Sequence, residues 1–178
     1  MTTEVKKASM MQFDVGSVAN MMQAAVAEAA DKAGLEGSEL VLSAVRAGNC
    51  AVCERVRYDL AVRLADYLGA VDATVKSVFL FEPDYATGGD SAPDNEQVSL
   101  GMNVIVWAEH KSAALTAVIG TLESALSQEL ARLRCARSSV LCFAFNVQVV
   151  DDGEVEQRKG YGAMVDSVYV RPLEVWHR

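Results

Sequence analysis

No stretch of the chain reaches the ~18 uninterrupted apolar residues that a membrane span requires, so no membrane partner is expected. Positive charge is also scarce. The 178 residues include 16 Lys and Arg against 24 Asp and Glu, a formal net charge of −8. The basic residues are dispersed, at Lys6-Lys7, at Arg55 and Arg57, from Arg132 to Arg137 and at Arg158-Lys159. Sequence-independent nucleic-acid binding draws its affinity from clustered Lys and Arg that release counterions from phosphate. Without such clusters no nucleic-acid partner is expected, and the acidic excess serves solubility. Export and anchoring signals are missing as well. No apolar run follows Lys6-Lys7, and the end at Val175-Trp-His-Arg178 is no lipidation motif, which reads as a soluble, cytoplasmic protein.

Catalytic signatures are equally sparse. There is no H-E-x-x-H, no G-x-S-x-G, no phosphate loop and no G-x-G-x-x-G. His110 and His177 are the two histidines, and neither stands beside a nucleophile in a recognisable arrangement. No catalytic residue is nominated, and the chain reads as a non-enzyme rather than an enzyme. The four cysteines, Cys50, Cys53, Cys135 and Cys142, are expected to be reduced.

What the chain does have is apolar material, 51% of its residues, enough for one domain to bury roughly 70% of its unfolded surface. Residues 1–13 read as a flexible segment or a short strand at Met10–Phe13, and residues 14–178 as a single α+β domain. A helix is expected from Asp14, with Val18, Met22, Ala25, Val26 and Ala29 at three- and four-residue spacings and Gly34 as its stop. A short helix follows over 38–48. A third starts at Asn49 with the stripe Cys53, Val56, Leu60, Leu64 and Leu68, while Glu54, Arg55, Asp59, Arg63 and Asp66 fall on its solvated side and Gly69 ends it.

Residues 74–82 read as a strand. A second covers 98–109, with Met102, Val104, Val106 and Ala108 on one face and Asn103, Ile105 and Trp107 on the other. Between them lies a long acidic loop, 83–97, of the kind that is functional or mobile. Ser112 caps a long helix marked by Leu115, Val118, Ile119, Leu122, Leu126, Leu130 and Leu133. A third strand spans 140–150. Asp151–Lys159 reads as a polar connection, and a last strand over 168–176 is interrupted at Pro172. The order predicts an α+β fold: a mixed or antiparallel sheet of about three to five strands with helices on one face, in the manner of a ferredoxin-like variant with extra N-terminal helices.

Three places could carry chemistry. Cys50 and Cys53 form a C-x-x-C at a helix start, where the dipole favours thiolate. That suits thiol redox or zinc, against the plainer reading of two small core residues. No cofactor is favoured, and zinc is the one the sequence offers. Tyr85 and Asp90 on the acidic loop, with Arg158, Lys159 and Tyr161 in a Gly-flanked basic turn, could frame a pocket for a small anionic ligand. Solvated loops are the alternative. Finally, the Ile105–Trp107 strand face and the small residues of the long helix offer surface for a second copy, so the leading expectation is a self-associating interaction domain forming a homodimer or other homo-oligomer. The anion binder or enzyme and the Cys50/Cys53 protein are the alternatives.

Overall fold

The computed structural model describes residues 15–34, 43, 50–81, 102–134, 145–169 and 172–178. The fold is α+β, with helices α1 (Val15–Ala33), α2 (Cys50–Val71) and α3 (Ala113–Arg134) packed against a four-stranded mixed sheet. The strands are β1 (Val75–Phe81), β2 (Met102–Ala108), β3 (Phe145–Asp151) and β4 (Leu173–His177), and two short helices, α4 (Asp152–Glu156) and α5 (Gly162–Val165), lie between the last two.

Sheet order is β3-β2-β1-β4. β1 is antiparallel to both β2 and β4, and β2 is parallel to β3. The parallel pair needs a crossover, which α3 supplies. These two strands are direct neighbours, whereas a ferredoxin-like sheet splits its β-α-β units with an intervening strand. The Met10–Phe13 strand, the helix over 38–48 and the loop 83–97 expected from the sequence lie outside the described residues, Ser43 apart.

Burial follows the predicted periodicities. Met102, Val104, Val106 and Ala108 all enter the core beneath the helices, as do Leu115, Ile119, Leu122 and Leu126 of α3. Ser112 caps α3, its hydroxyl accepting the Leu115 N–H at 2.9 Å. Gly34 (φ +65) closes α1 in the left-handed conformation that costs glycine least. α1 packs on α2 and α3, α2 on β1 and β4, and α3 on β3.

Several expectations need correction. Gly69 does not end α2, which runs on to Val71. A Cβ at Gly69 would clash with the six-membered ring of Trp176, so the glycine lets β4 approach the helix. The polar run after Asp151 is a helix held by a capping box. The Asp151 carboxylate accepts the Glu154 N–H at 2.9 Å, and the Glu154 carboxylate accepts the Asp151 N–H at 3.2 Å. Val168 and Tyr169 form a bend, and the final strand begins at Leu173. It pairs with β1 of its own chain.

The second sheet face is the largest departure. Ile105, with 1% of its surface exposed, packs with Phe79, Val150 and Val155, and Trp107, Met164 and Val165 close over them. The α4–α5 segment therefore covers the Ile105–Trp107 face. It is pinned by Asp152, whose carboxylate accepts from Lys76 Nζ at 2.8 and 2.7 Å and from Trp107 Nε1 at 2.8 Å. Lys76 Nζ also stands 5.3 Å above the Trp107 ring.

Candidate functional site

The basic turn nominated from the sequence is a helix ending. Its N–H groups are already engaged: Arg158 N donates to Val155 O at 3.1 Å and Lys159 N to Glu154 O at 2.8 Å. This is a Schellman ending of α4, and its left-handed position is held by Arg158 (φ 51) where glycine is usual. Gly162 N and Ala163 N are likewise taken by Lys159 O and Gly160 O. An anion at this turn would meet side-chain charge, not a cradle formed by these N–H groups. Arg158, Lys159 and Tyr161 are all exposed. Tyr85 and Asp90 lie outside the described residues. Cys50 and Cys53 occupy the first turn of α2, three residues apart and hence on one side of it, and their thiols lie outside the described residues. Among the described residues no three His, Cys, Asp or Glu side chains are grouped to hold a metal ion, and no helix is long and apolar enough to cross a membrane.

A Ser-His-Glu grouping exists but lacks the geometry of a relay. Ser77 Oγ and His177 Nδ1 are 2.8 Å apart, and Glu174 Oε1 lies 3.3 Å from that same nitrogen. A relay uses one ring nitrogen for each partner, and Ser77 is only 1% exposed, out of reach of a substrate. The grouping ties β4 to β1.

Comparison with protein-family models, curated proteins and solved structures finds no match. The function has to be argued from the surfaces themselves.

Two surfaces stand out. The first is the outward side of α3. Ala113, Ala117, Gly120, Thr121, Ser124 and Gln128 are exposed along it, and a groove of about 410 Å³ runs past Ala117, Gly120 and Ser124. Between residues 113 and 128 no exposed side chain is charged. The one acid there, Glu123, turns toward the sheet, where its Oε1 accepts the Val147 N–H at 2.8 Å. That bond occupies an N–H of β3, a strand at the end of the sheet order. At the other end, β4 follows Pro172 and carries a bulge at Val175, between its pairings at Trp176 and Glu174. Prolines, bulges and capped N–H groups are the usual protections of a sheet edge against another strand.

The second surface is a cleft of about 290 Å³ between α1 and α2, lined by Glu28, Lys32, Tyr58, Asp59, Val62, Arg63 and Asp66. Sequence periodicity put Asp59 on the solvated side of α2, but its side chain is 3% exposed because α1 crosses over it. Lys32 Nζ donates to Asp59 Oδ1 at 3.1 Å and pairs with Glu28 Oε1 at 2.6 Å, while Arg63 Nη2 donates to Glu28 Oε2 at 2.8 Å. The hydrogen bond from Lys32, with Arg63 adding to it, holds the Glu28 carboxyl below the usual range. Glu28 and Asp59 in turn raise the Lys32 ammonium. The missed signal was the width of the buried face of α2, where Ala61 and Ala65 are as buried as the leucines beside them.

Proposed function

We propose that the chain is a non-enzymatic, self-associating α+β domain that meets a second copy through the outward face of α3. Gly120 carries the reading. It sits in the middle of the helix, is exposed, and would meet no atom within 4 Å if it bore a Cβ. Glycine in a helix interior costs about 1 kcal/mol relative to alanine. Among the described residues no intramolecular contact accounts for that cost, whereas a second helix packed closely at this position does. Interaxial distances of roughly 8–10 Å depend on how small the side chains at the crossing are. Charge supports the same partner. Two copies of formal charge −8 repel, and a face without carboxylates is where they can meet without burying unpaired charge. The protected sheet edges argue against strand pairing as the route.

Native mass spectrometry with light scattering at several concentrations tests this. The expected result is a dimer, converted to monomer by Ala117→Glu or Gly120→Glu with an unchanged circular dichroism spectrum. A wild-type protein that stays monomeric at tens of micromolar would overturn it.

A second reading, a small anionic-ligand site including Arg158 and Lys159, is favoured by the left-handed backbone of Arg158. Strained positions held by residues other than glycine cluster at functional sites. A phosphate-dependent thermal shift that disappears in Arg158→Ala supports it, and no shift with phosphate or small carboxylates removes it.

A further inference from the structure

β3 brings little protection of its own to the end of the sheet. Its run Phe145-Asn-Val-Gln-Val-Val150 has no charge, no proline and no glycine, and it mixes β-branched, aromatic and amide side chains. Short runs of this kind pair readily with another strand when an edge is left open. β4, at the opposite end, is different, because Pro172, a bulge and the charge of Glu174 belong to the strand itself or to its start.

The protection of β3 comes from other elements. One side of the strand pairs with β2 along its whole length, and the other is the end of the sheet order among the described strands. Alternate N–H groups of a strand point the same way, and those at 147, 149 and 151 point away from β2. Two of these three are taken by carboxylates. Glu123 reaches from α3 to accept the Val147 N–H at 2.8 Å, and Glu154 of α4 accepts the Asp151 N–H at 3.2 Å. A strand added at this edge would need the same N–H groups, so it competes with both.

The two carboxylates differ in what else they do. Glu154 belongs to the capping box of α4 and is held by Lys111 as well, so its bond serves the helix start. Glu123 lies in the interior of α3, where no helix end needs a partner, and its bond crosses 24 residues to the middle of the open edge. A second copy of β3 is the neighbour this edge would take. The run is uncharged, so it meets itself antiparallel about a two-fold axis without placing like charges opposite each other. With Glu123 in place, the same approach brings two carboxylates to one seam and breaks both of their bonds.

We propose that Glu123 is an autoinhibitory latch on β3, whose hold on the Val147 N–H keeps the strand closed to antiparallel pairing with β3 of a second copy. Loss of the carboxylate opens the edge and joins two sheets into one. This route is separate from the outward face of α3, from which Glu123 turns away.

Light scattering and amide hydrogen exchange of the full chain over a concentration series test the latch in Glu123→Ala and Glu123→Gln. Glutamine keeps an oxygen that accepts the Val147 N–H, and alanine does not. The expected result is that Glu123→Ala reaches at least twice the wild-type mass at the same concentration, with the Val147 and Val149 amides gaining protection as it assembles. Glu123→Gln should keep the wild-type mass. Adding Gly120→Glu to Glu123→Ala should leave this assembly in place, which separates it from association through α3. If Glu123→Ala does not fold, Glu123→Ser, too short to reach the N–H, reads the same edge. Wild-type mass in the folded variant overturns the proposal, as does assembly without added protection at Val147 and Val149. An equal rise in Glu123→Gln overturns it too, and so does assembly that Gly120→Glu abolishes.

Discussion

Replacing Arg158 by glycine relieves a backbone position that an L side chain occupies at a cost. Its φ of 51° lies in the left-handed region, where the clash between Cβ and the following carbonyl costs roughly 1–2 kcal/mol. Glycine avoids the clash but gives back roughly 0.5–1 kcal/mol, because it loses more freedom on folding. The net expectation is a gain of about 0.5–1 kcal/mol. For a domain of this size each kcal/mol moves Tm by about 2–4 °C, so Arg158→Gly should melt about 1–4 °C higher in a calorimetric or circular dichroism scan. Gly160 provides the opposite sign. It too has φ +51, and a Cβ there would meet nothing within 4 Å, so in Gly160→Ala the same two terms apply with the sign reversed and the loss should be about 0.5–1 kcal/mol. An unchanged or lowered Tm in Arg158→Gly would refute the reasoning, because the arginine side chain would then be contributing more than its backbone costs.

Two further outcomes are expected. Gly162→Ala places a Cβ 2.5 Å from the Glu154 carbonyl and 2.8 Å from Val155 N, main-chain atoms that cannot swing aside. The α4–α5 cover should loosen, with a loss of about 1–3 kcal/mol in urea unfolding and a change in Trp107 emission. Stability should also fall in acid. The Lys76 hydrogen bond is the main cause holding the Asp152 carboxyl below its ordinary 3.8. At Asp72, burial pushes the carboxyl up, but hydrogen bonds from Thr74 and Ser112, together with the charge of His110, outweigh it and hold it below 3.8 as well. Groups lowered in the folded state contribute stability that is complete above the unfolded value and lost as pH falls through the folded one. Tm should therefore drop as pH is lowered from 5 toward 2, and less steeply in Asp152→Asn. An identical slope in that variant would dissociate Asp152 from acid unfolding.

Local pattern carried much of the architecture. Alternation in β2 named Met102, Val104, Val106 and Ala108 as one buried face, and three-four spacing named the buried side of α3, because each period is a property of the backbone conformation itself. Ser112 and Gly34 were legible for the same reason, since a cap or a left-handed turn is built within a few residues. α4 was missed although Asp151 and Glu154 carry a capping-box spacing. A five-residue helix with a single buried side chain, Val155, has no periodicity to reveal.

The candidate sites divide along the same line. The small residues of α3 could be read from the chain, but that they stay uncovered, while Ile105 and Trp107 do not, was decided by where the 152–165 segment lies. Asp59 looked solvated because periodicity ranks positions on an isolated helix. Its burial depends on Lys32 and Glu28 arriving from α1, much as the second sheet face depends on Asp152 meeting Lys76. Sequence alone determined which faces are apolar and where helices begin. Tertiary structure decided which of those faces are covered and which charges meet, because coverage is set by residues far along the chain whose approach no local period encodes.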